Sequence, residues 1–247
     1  MRYFTKLSLL ISMLVTSLAW ATPVYVGDGQ GNLGTVDTSG NVNYIGNMGT
    51  TMYDIAMDNN GNLWGISSRE LYSIDANTGS ATLVGALGHF ANALVFGNDG
   101  TLYAAGNSSL FSVDIATGVA SIIGDIGFRS SGDLEFDDNN QLYMSDINGN
   151  LIGVDYSNGA GSLIGAMGIS NAYGLAFVNG SMFAYSGNDI YGVDLATGAT
   201  QHRANYAGRG LSVAFGATAG PDMISIPEPG GLLLFALTLL GMSRFRK

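Results

Sequence analysis

The sequence contains no cysteine, and its basic residues are scarce. Without cysteine the fold cannot use disulfides, and thiol nucleophiles are excluded. Lysine occurs only at Lys6 and Lys247, so Schiff-base chemistry has no candidate in the interior of the chain. Burial of apolar side chains and backbone pairing must therefore stabilise the fold on their own.

Charge is distributed unevenly along the chain. Residues 22–229 contain four arginines and all nineteen acidic residues, a net charge of −15. A nucleic-acid groove needs clustered cations to neutralise phosphates, so no nucleic-acid partner is expected. Acidity favours cations or basic partners in general, but it does not identify a function.

The first 21 residues have the three parts of a secretory signal peptide. Arg2 and Lys6 precede an apolar run over 7–18, and small residues follow at Ala19 and Ala21. We expect signal peptidase to cleave after Ala21. The alternative is a membrane-spanning helix, which needs roughly 20 apolar residues, more than this run provides.

Residues 22–220 contain an internal repeat. Five segments share an apolar pattern that ends in aspartate and leads to a glycine turn: 33–37, 71–75, 110–114, 151–155 and 190–194. A second glycine follows in the first four copies, at Gly46, Gly85, Gly124 and Gly165. The fifth copy has Gln201-His202-Arg203 in its place.

Pairs of short apolar runs lie between these segments, joined by turn residues. The turns are Asn60-Gly61, Asp99-Gly100, Asn139-Asn140 and Asn179-Gly180. Asn-Gly and Asp-Gly accept the positive φ that tight hairpins need, so each pair predicts a β-hairpin. Each unit of about 40 residues then holds four short strands, A to D from inside to outside, as a propeller blade requires.

The ends of the repeat predict how the domain closes. The runs 24–26, 33–36 and 42–45 resemble strands B, C and D, and 210–215 resembles a lone strand A. Joining these four strands would close a ring and remove its sheet edges. We therefore expect an all-β, five-bladed β-propeller over 22–220, with a solenoid or open array as the alternative.

The stretch Leu71-Tyr-Ser-Ile-Asp75, with Thr78-Gly79 after it, resembles the repeats of pyrroloquinoline-quinone-like and YVTN-type propellers. The resemblance implies blade architecture rather than an activity. Quinoprotein repeats also carry a docking tryptophan after the glycine, and residues 80–84 contain none. No cofactor is therefore expected.

Few residues are candidates for catalysis or metal binding. His89 lies in a D-to-A loop and His202 on an outer strand, and no nucleophile elbow or phosphate loop is present. Asp58 and Asp146 begin loops rich in Asn, but the Gly and Glu that an EF-type calcium loop requires are missing. Both loops are interpreted as turns. No catalytic residue and no metal site are predicted, and a calcium site of another type stays open as the alternative.

Ligand binding is the remaining class of function. In a propeller the D-to-A and B-to-C loops share one face around the channel mouth, where aromatic, Asn and Arg side chains can stack on sugars or hold a peptide. The candidate ligand face consists of His89, Phe90, Phe128, Arg129, Asn171, Tyr173, Tyr206 and Arg209. For each residue the alternative is packing between blades.

The C-terminal segment has three parts. Residues 221–231 are a linker containing Pro227-Glu228-Pro229, and 232–247 are a short apolar helix with a basic end. This order resembles the PEP-CTERM sorting signal of exopolysaccharide-producing Gram-negative bacteria, which implies an exosortase partner that cleaves near the motif. The apolar run is about 11 residues, short for a permanent span, so we expect transient inner-membrane contact. A retained anchor is the alternative.

Together these features predict an exported, non-enzymatic binding or scaffold protein of the cell envelope, outer surface or extracellular matrix, with a glycan or protein as ligand. Two alternatives stay open. One is a propeller hydrolase or lyase acting on extracellular polysaccharide, and the other is a purely structural protein of an exopolysaccharide or biofilm matrix.

Overall fold

The computed structural model describes residues 23–220, which consist of strands, turns and loops. The expected signal peptide, the Pro-Glu-Pro motif and the apolar tail lie outside the described residues. Within this range no helix is long and apolar enough to span a membrane.

Twenty strands follow one another along the described chain. They are β1 (Val24–Asp28), β2 (Asn32–Val36), β3 (Val42–Asn47), β4 (Asp54–Met57), β5 (Leu63–Ile66), β6 (Glu70–Ile74), β7 (Ala81–Ala86), β8 (Ala93–Phe96), β9 (Leu102–Gly106), β10 (Ser109–Val113), β11 (Ala120–Asp125), β12 (Ser130–Phe136), β13 (Leu142–Asp146), β14 (Asn150–Val154), β15 (Gly161–Ala166), β16 (Ala172–Val178), β17 (Ser181–Ser186), β18 (Asp189–Val193), β19 (Thr200–Asn205) and β20 (Ala214–Ala219).

The strands form five antiparallel four-stranded sheets, and each sheet is one blade. Blades 2 to 5 are continuous in sequence: β4–β7, β8–β11, β12–β15 and β16–β19. Blade 1 joins β20, from the end of the domain, to β1, β2 and β3, from its beginning. The five-bladed propeller closed by a split blade is therefore confirmed, and the open-array alternative is wrong.

The closing strand lies further along the chain than the pattern predicted. We expected it at 210–215, whereas β20 spans Ala214–Ala219. Leu211 is 5% exposed because it packs into the core before the strand begins, and the Ser212 N–H donates to the Asp28 carboxylate at 2.8 Å. The apolar alternation at 210–213 thus reflects loop packing rather than strand pairing.

The hydrophobic core is divided into five clusters, one between each pair of neighbouring blades. Between blades 3 and 4, for example, Val95 and Tyr103 pack with Phe136 and Met144. Both faces of each blade are therefore buried, which explains why apolar residues of both parities occur in the inner strands.

Glycines bring the outer parts of neighbouring blades together. The turn after the third strand of each of blades 2 to 5 approaches the outermost strand of the preceding blade. Between blades 3 and 4 this approach is so close that a Cβ atom at Gly124 would overlap the Asn158 carbonyl oxygen. Gly46, Gly85 and Gly165 lie equally close to Thr78, Thr117 and Thr197. The second glycine of the repeat is thus a contact between blades.

The fifth interface, where the ring closes, is built differently. Ala204 takes the place of the glycine, opposite Ile190, and its Cβ packs against Gly40 of blade 1. The Arg209 guanidinium donates to the Gly40 carbonyl at 2.6 Å. The departure of the fifth copy from the repeat therefore falls at the interface that the split blade closes.

Candidate functional site

One face of the propeller carries the loops that lead into the inner strands and the hairpins between second and third strands. We call it the mouth face. At Asn107 and Asn171 the chain turns with φ of 53° and 55°, a left-handed conformation that asparagine tolerates better than most residues. Sequence and local geometry thus agree at both turns.

A pocket of about 260 Å³ opens on this face across blades 3, 4 and 5. Its lining residues, called the mouth pocket below, are Phe90, Asn92, Asn107, Arg129, Ser130, Ser131, Ile147, Asn171 and Tyr173. Pockets for drug-sized ligands run to roughly 300–1,000 Å³. The mouth pocket is therefore of a size for one small unit, such as a single sugar ring.

Neighbouring groups hold the two aromatic rings of the mouth pocket in place. Phe90 meets Tyr53 edge-on, with ring centroids 6.4 Å apart, and Tyr173 meets Phe215 in the same way at 5.9 Å. The Tyr173 hydroxyl also donates to the Asn171 side-chain oxygen at 3.1 Å. Rings fixed in this way lose little conformational entropy when a ligand stacks on them.

Two polar atoms of the mouth pocket are buried without a hydrogen-bond partner among the described residues. They are the Ser130 Oγ and the Asn92 Oδ1. Ser130 is 5% exposed, and the Asn92 amide is oriented by donating its N–H to the Ser130 carbonyl at 3.3 Å. A buried polar atom without a partner costs free energy, so both atoms favour a ligand that supplies one.

Of the residues that the structure describes, Arg129 alone is charged and lines the mouth pocket. It directly precedes β12, and its carbonyl accepts the Ile147 N–H at 3.0 Å, which fixes the backbone. Within residues 23–220 its guanidinium makes neither an ion pair nor a hydrogen bond. The guanidinium therefore keeps all its donors available at the pocket.

The structure brings together four of the eight residues of the predicted ligand face, namely Phe90, Arg129, Asn171 and Tyr173. The other four are placed elsewhere. His89 stacks on Phe111 with centroids 5.0 Å apart, and Phe128 packs against the core between blades 3 and 4. Tyr206 is buried, with its hydroxyl donating to the Gly187 carbonyl at 3.0 Å, and Arg209 contacts blade 1.

Five pocket residues were not among the sequence candidates: Asn92, Asn107, Ser130, Ser131 and Ile147. Asn107 and Ile147 lie in hairpins between second and third strands, which contributed no residue to the predicted ligand face. Ser130 and Ser131 belong to β12 but precede its apolar residues Leu134 and Phe136, which carry the strand pattern. Only the left-handed Asn pattern at Asn107 offered a usable signal.

Three carboxyl groups lie near the propeller axis. Asp54 and Asp133 are fully buried on β4 and β12 and accept the N–H groups of Leu94, at 2.7 Å, and Leu175 on the next blade. Burial raises the pKa of both well above the usual range, and repulsion by Asp54 raises the pKa of Asp133 further. Burial also raises the pKa of Glu135 to about 8.

The two Asp-rich loops considered as calcium sites are turns in which the aspartate accepts hydrogen bonds from backbone N–H groups of its own loop. The Asp58 Oδ1 accepts the N–H groups of Asn60 and Asn62 at 2.9 and 2.8 Å. The Asp146 Oδ1 accepts those of Asn148 and Asn150 at the same two distances. The interpretation of both loops as turns is confirmed.

A second, larger cleft of about 570 Å³ lies at the outer edge between blades 5 and 1. Thr38, Phe183, Asp194 and Arg203 are among its lining residues. None of the described residues with a buried, unpartnered polar atom lines this cleft. The mouth pocket is therefore the better candidate for a ligand site.

No known family model matches the sequence, and no curated protein matches it. Solved structures share the fold. A gluconolactonase from Xanthomonas campestris is 17% identical, with a TM-score of 0.53 over 81% of this chain and 84% of that one. A chain of a nidogen–laminin complex is 13% identical, with a TM-score of 0.54 over 81% and 86% of the two chains.

A third similar structure is a symmetrical protein studied for its de novo evolutionary emergence. It is 16% identical, with a TM-score of 0.53 over 77% of this chain and 95% of that one. At these identities the likeness establishes the propeller fold alone.

The gluconolactonase corrects one expectation drawn from the sequence. The scarcity of histidine predicted a chain that is not an enzyme, and that exclusion is wrong because an enzyme has the same fold. The physical reason is that acid–base chemistry does not require histidine. A carboxyl with a raised pKa, such as that of Glu135 at about 8, also titrates near neutral pH.

Proposed function

We propose that this chain binds an extracellular glycan in the mouth pocket, with one sugar ring lying against Phe90 and Tyr173. The observation that carries the proposal is the presence, in one small pocket, of fixed aromatic rings beside polar atoms that lack partners. A sugar ring offers the matching surfaces, because its C–H face stacks on aromatic rings and its hydroxyls both donate and accept hydrogen bonds.

Replacing the stacking ring tests this function. We expect Tyr173→Ala to weaken binding of any glycan selected on an array by about tenfold or more, which corresponds to about 1.4 kcal/mol. The matched control is Tyr44→Ala, which removes a tyrosine that is 51% exposed on the outermost strand of blade 1. Titration calorimetry on the full chain measures both. Equal affinities in the two variants, or no glycan bound by the wild type, would overturn the proposal.

A second candidate is an enzyme that acts on a sugar lactone or an extracellular polysaccharide. It is favoured by the half-buried Glu135, which is protonated at neutral pH and could act as a general acid. Analysing the samples of the same glycan screen for cleavage products tests whether the chain is an enzyme. Turnover that disappears in Glu135→Gln would support the enzyme, and no turnover in the wild type would reject it.

The sequence of the two ends supports export and exosortase sorting as part of the proposal. We expect the full chain to reach the cell surface or matrix, and a variant lacking 227–247 to be recovered mainly from the periplasm. Cell fractionation followed by immunoblotting measures the distribution. The same distribution for both chains would contradict a sorting role for the Pro-Glu-Pro segment.

A further inference from the structure

We propose that the sugar bound in the mouth pocket is acidic, and that Arg129 recognises its carboxylate while Ser130 and Asn92 bind its hydroxyls. This inference rests on the proposed glycan-binding function and adds the class of ligand, namely a uronic acid within an extracellular polysaccharide.

The first support is the position of Arg129 in so acidic a protein. Residues 23–220 contain four arginines and seventeen acidic residues. One of these arginines lines the mouth pocket without any ion-pair partner among the described residues. The planar guanidinium presents paired N–H donors that match the two oxygens of a carboxylate. A neutral sugar would leave this charge without a counterpart.

The second support is the orphan hydroxyl beside Arg129. The Ser130 Oγ is buried and has no partner in the described chain, although a hydroxyl can both donate and accept. The Asn92 Oδ1 accepts no hydrogen bond from the described residues, and the Asn92 side-chain N–H donates to the Ser130 carbonyl, which positions the amide. Both residues line the same pocket as Arg129, so we infer that one bound sugar acid supplies partners for all three side chains.

The third support is that no available carboxylate competes for Arg129 or repels an acidic ligand. Among residues 23–220, no acidic residue lines the pocket. Asp146 pairs with Ser130 across the sheet, but it is 2% exposed and accepts hydrogen bonds from Asn148 and Asn150, two of them from their side chains at 3.4 and 3.1 Å. Asp133, three residues along β12, is fully buried.

The test compares two ligands that differ only in whether each sugar carries a carboxylate or a neutral hydroxymethyl group. The full chain is titrated with a glucuronate tetrasaccharide and with the same tetrasaccharide after reduction of its carboxyl groups. We expect the wild type to bind the acidic form at least about tenfold more tightly, since hydrogen bonds between charged groups are roughly twice as strong as neutral ones. In Arg129→Ala the ratio should fall to about one. Arg203→Ala, which removes an arginine outside the pocket, should leave the ratio unchanged.

The possible results distinguish recognition of an acidic sugar from glycan binding in general. Equal binding of both tetrasaccharides by the wild type would overturn the acidic ligand and leave glycan binding intact. Binding of neither would count against both. A preference for the acidic form that survives in Arg129→Ala would show that another group recognises the carboxylate, which also overturns the assignment.

Ser130→Ala separates a binding role from a structural one. A hydroxyl that holds the fold together lowers the melting temperature when it is removed. Removing a buried hydroxyl that serves only to bind a ligand should instead raise the melting temperature, by roughly 2–4 °C, because the variant no longer buries an unpartnered polar group. We expect this rise together with a threefold to tenfold loss of affinity for both tetrasaccharides. A lower melting temperature with unchanged affinity would exclude Ser130 from the site.

Discussion

The variant Gly124→Ala should unfold at a temperature roughly 6–12 °C lower than the wild type, a loss of about 3 kcal/mol. The added methyl group would overlap the carbonyl oxygen of Asn158, which belongs to the turn of the next blade. Neither backbone can move freely, because the N–H of Gly161 just after that turn donates to the Ile126 carbonyl at 3.0 Å. The clash must therefore separate blades 3 and 4.

The matched control for this variant is Gly153→Ala. Gly153 is a buried glycine in the third strand of blade 4, but a methyl group there would meet only the Ser162 and Ile164 side chains, at 3.4 Å or more. Its free energy of unfolding should change by less than about 1 kcal/mol. Differential scanning calorimetry compares the two. Similar melting temperatures would show that the glycine repeat does not determine the spacing between blades.

Stability should decline between about pH 4.5 and pH 8, because of the carboxyls near the axis. A carboxyl whose pKa is higher in the folded than in the unfolded chain holds its proton more tightly when folded. Glu135 has a folded pKa of about 8 against an ordinary value of 4.5, so its contribution is complete below pH 4.5 and is lost as pH rises through 8. Allowing for its partial exposure, we expect a loss of about 2 kcal/mol, or roughly 4–8 °C.

Two variants test the source of this decline. In Glu135→Gln the melting temperature should fall less between pH 4.5 and 8, because the remaining decline comes only from Asp54 and Asp133, whose pKa values burial also raises. Asp138→Asn, an exposed acid two residues beyond β12, should keep the wild-type profile. A wild-type melting temperature that rises steadily from pH 4.5 to 8 would contradict the raised pKa of Glu135.

The acid side of the profile has a different origin. The turn aspartates of the repeat, such as Asp75, Asp114 and Asp194, accept backbone N–H groups that lower their pKa values. Their contribution is present above the ordinary pKa near 4 and is lost as pH falls below it. The protein should therefore be most stable near pH 4–5, between these two effects.

Much of the fold could be predicted from local chemistry. Asn-Gly and Asp-Gly turns placed the hairpins, the Asp-to-Gly turns marked the end of each third strand, and the spacing near 40 residues indicated five blades. The split blade followed from unpaired strands at the two ends. The closing strand was predicted too early because Leu211 and Val213 alternate with polar or small residues, as in a strand. In the structure Leu211 packs into the core and the Val213 carbonyl accepts the Gly29 N–H, both before β20 begins.

Four of the nine residues that line the mouth pocket could be predicted from the sequence. Phe90, Arg129, Asn171 and Tyr173 were expected because they lie in loops that a propeller places on one face. Tyr206 has the same type of position in the sequence but is buried, since it packs in one cluster with Ala214 and Ala217 of the closing strand. Whether a loop aromatic is exposed depends on the packing of its neighbours, which no local pattern specifies.

By itself, then, the sequence determined the all-β repeat, the number of blades and the way the ring closes, because these depend on turn chemistry and strand spacing within each unit. Only the tertiary structure decided which side chains meet. Within residues 23–220, the Ser130 Oγ and the Asn92 Oδ1 are buried without partners beside Arg129, in a pocket where residues from three different blades converge. The repeat specifies each blade, and the mouth pocket exists only between blades.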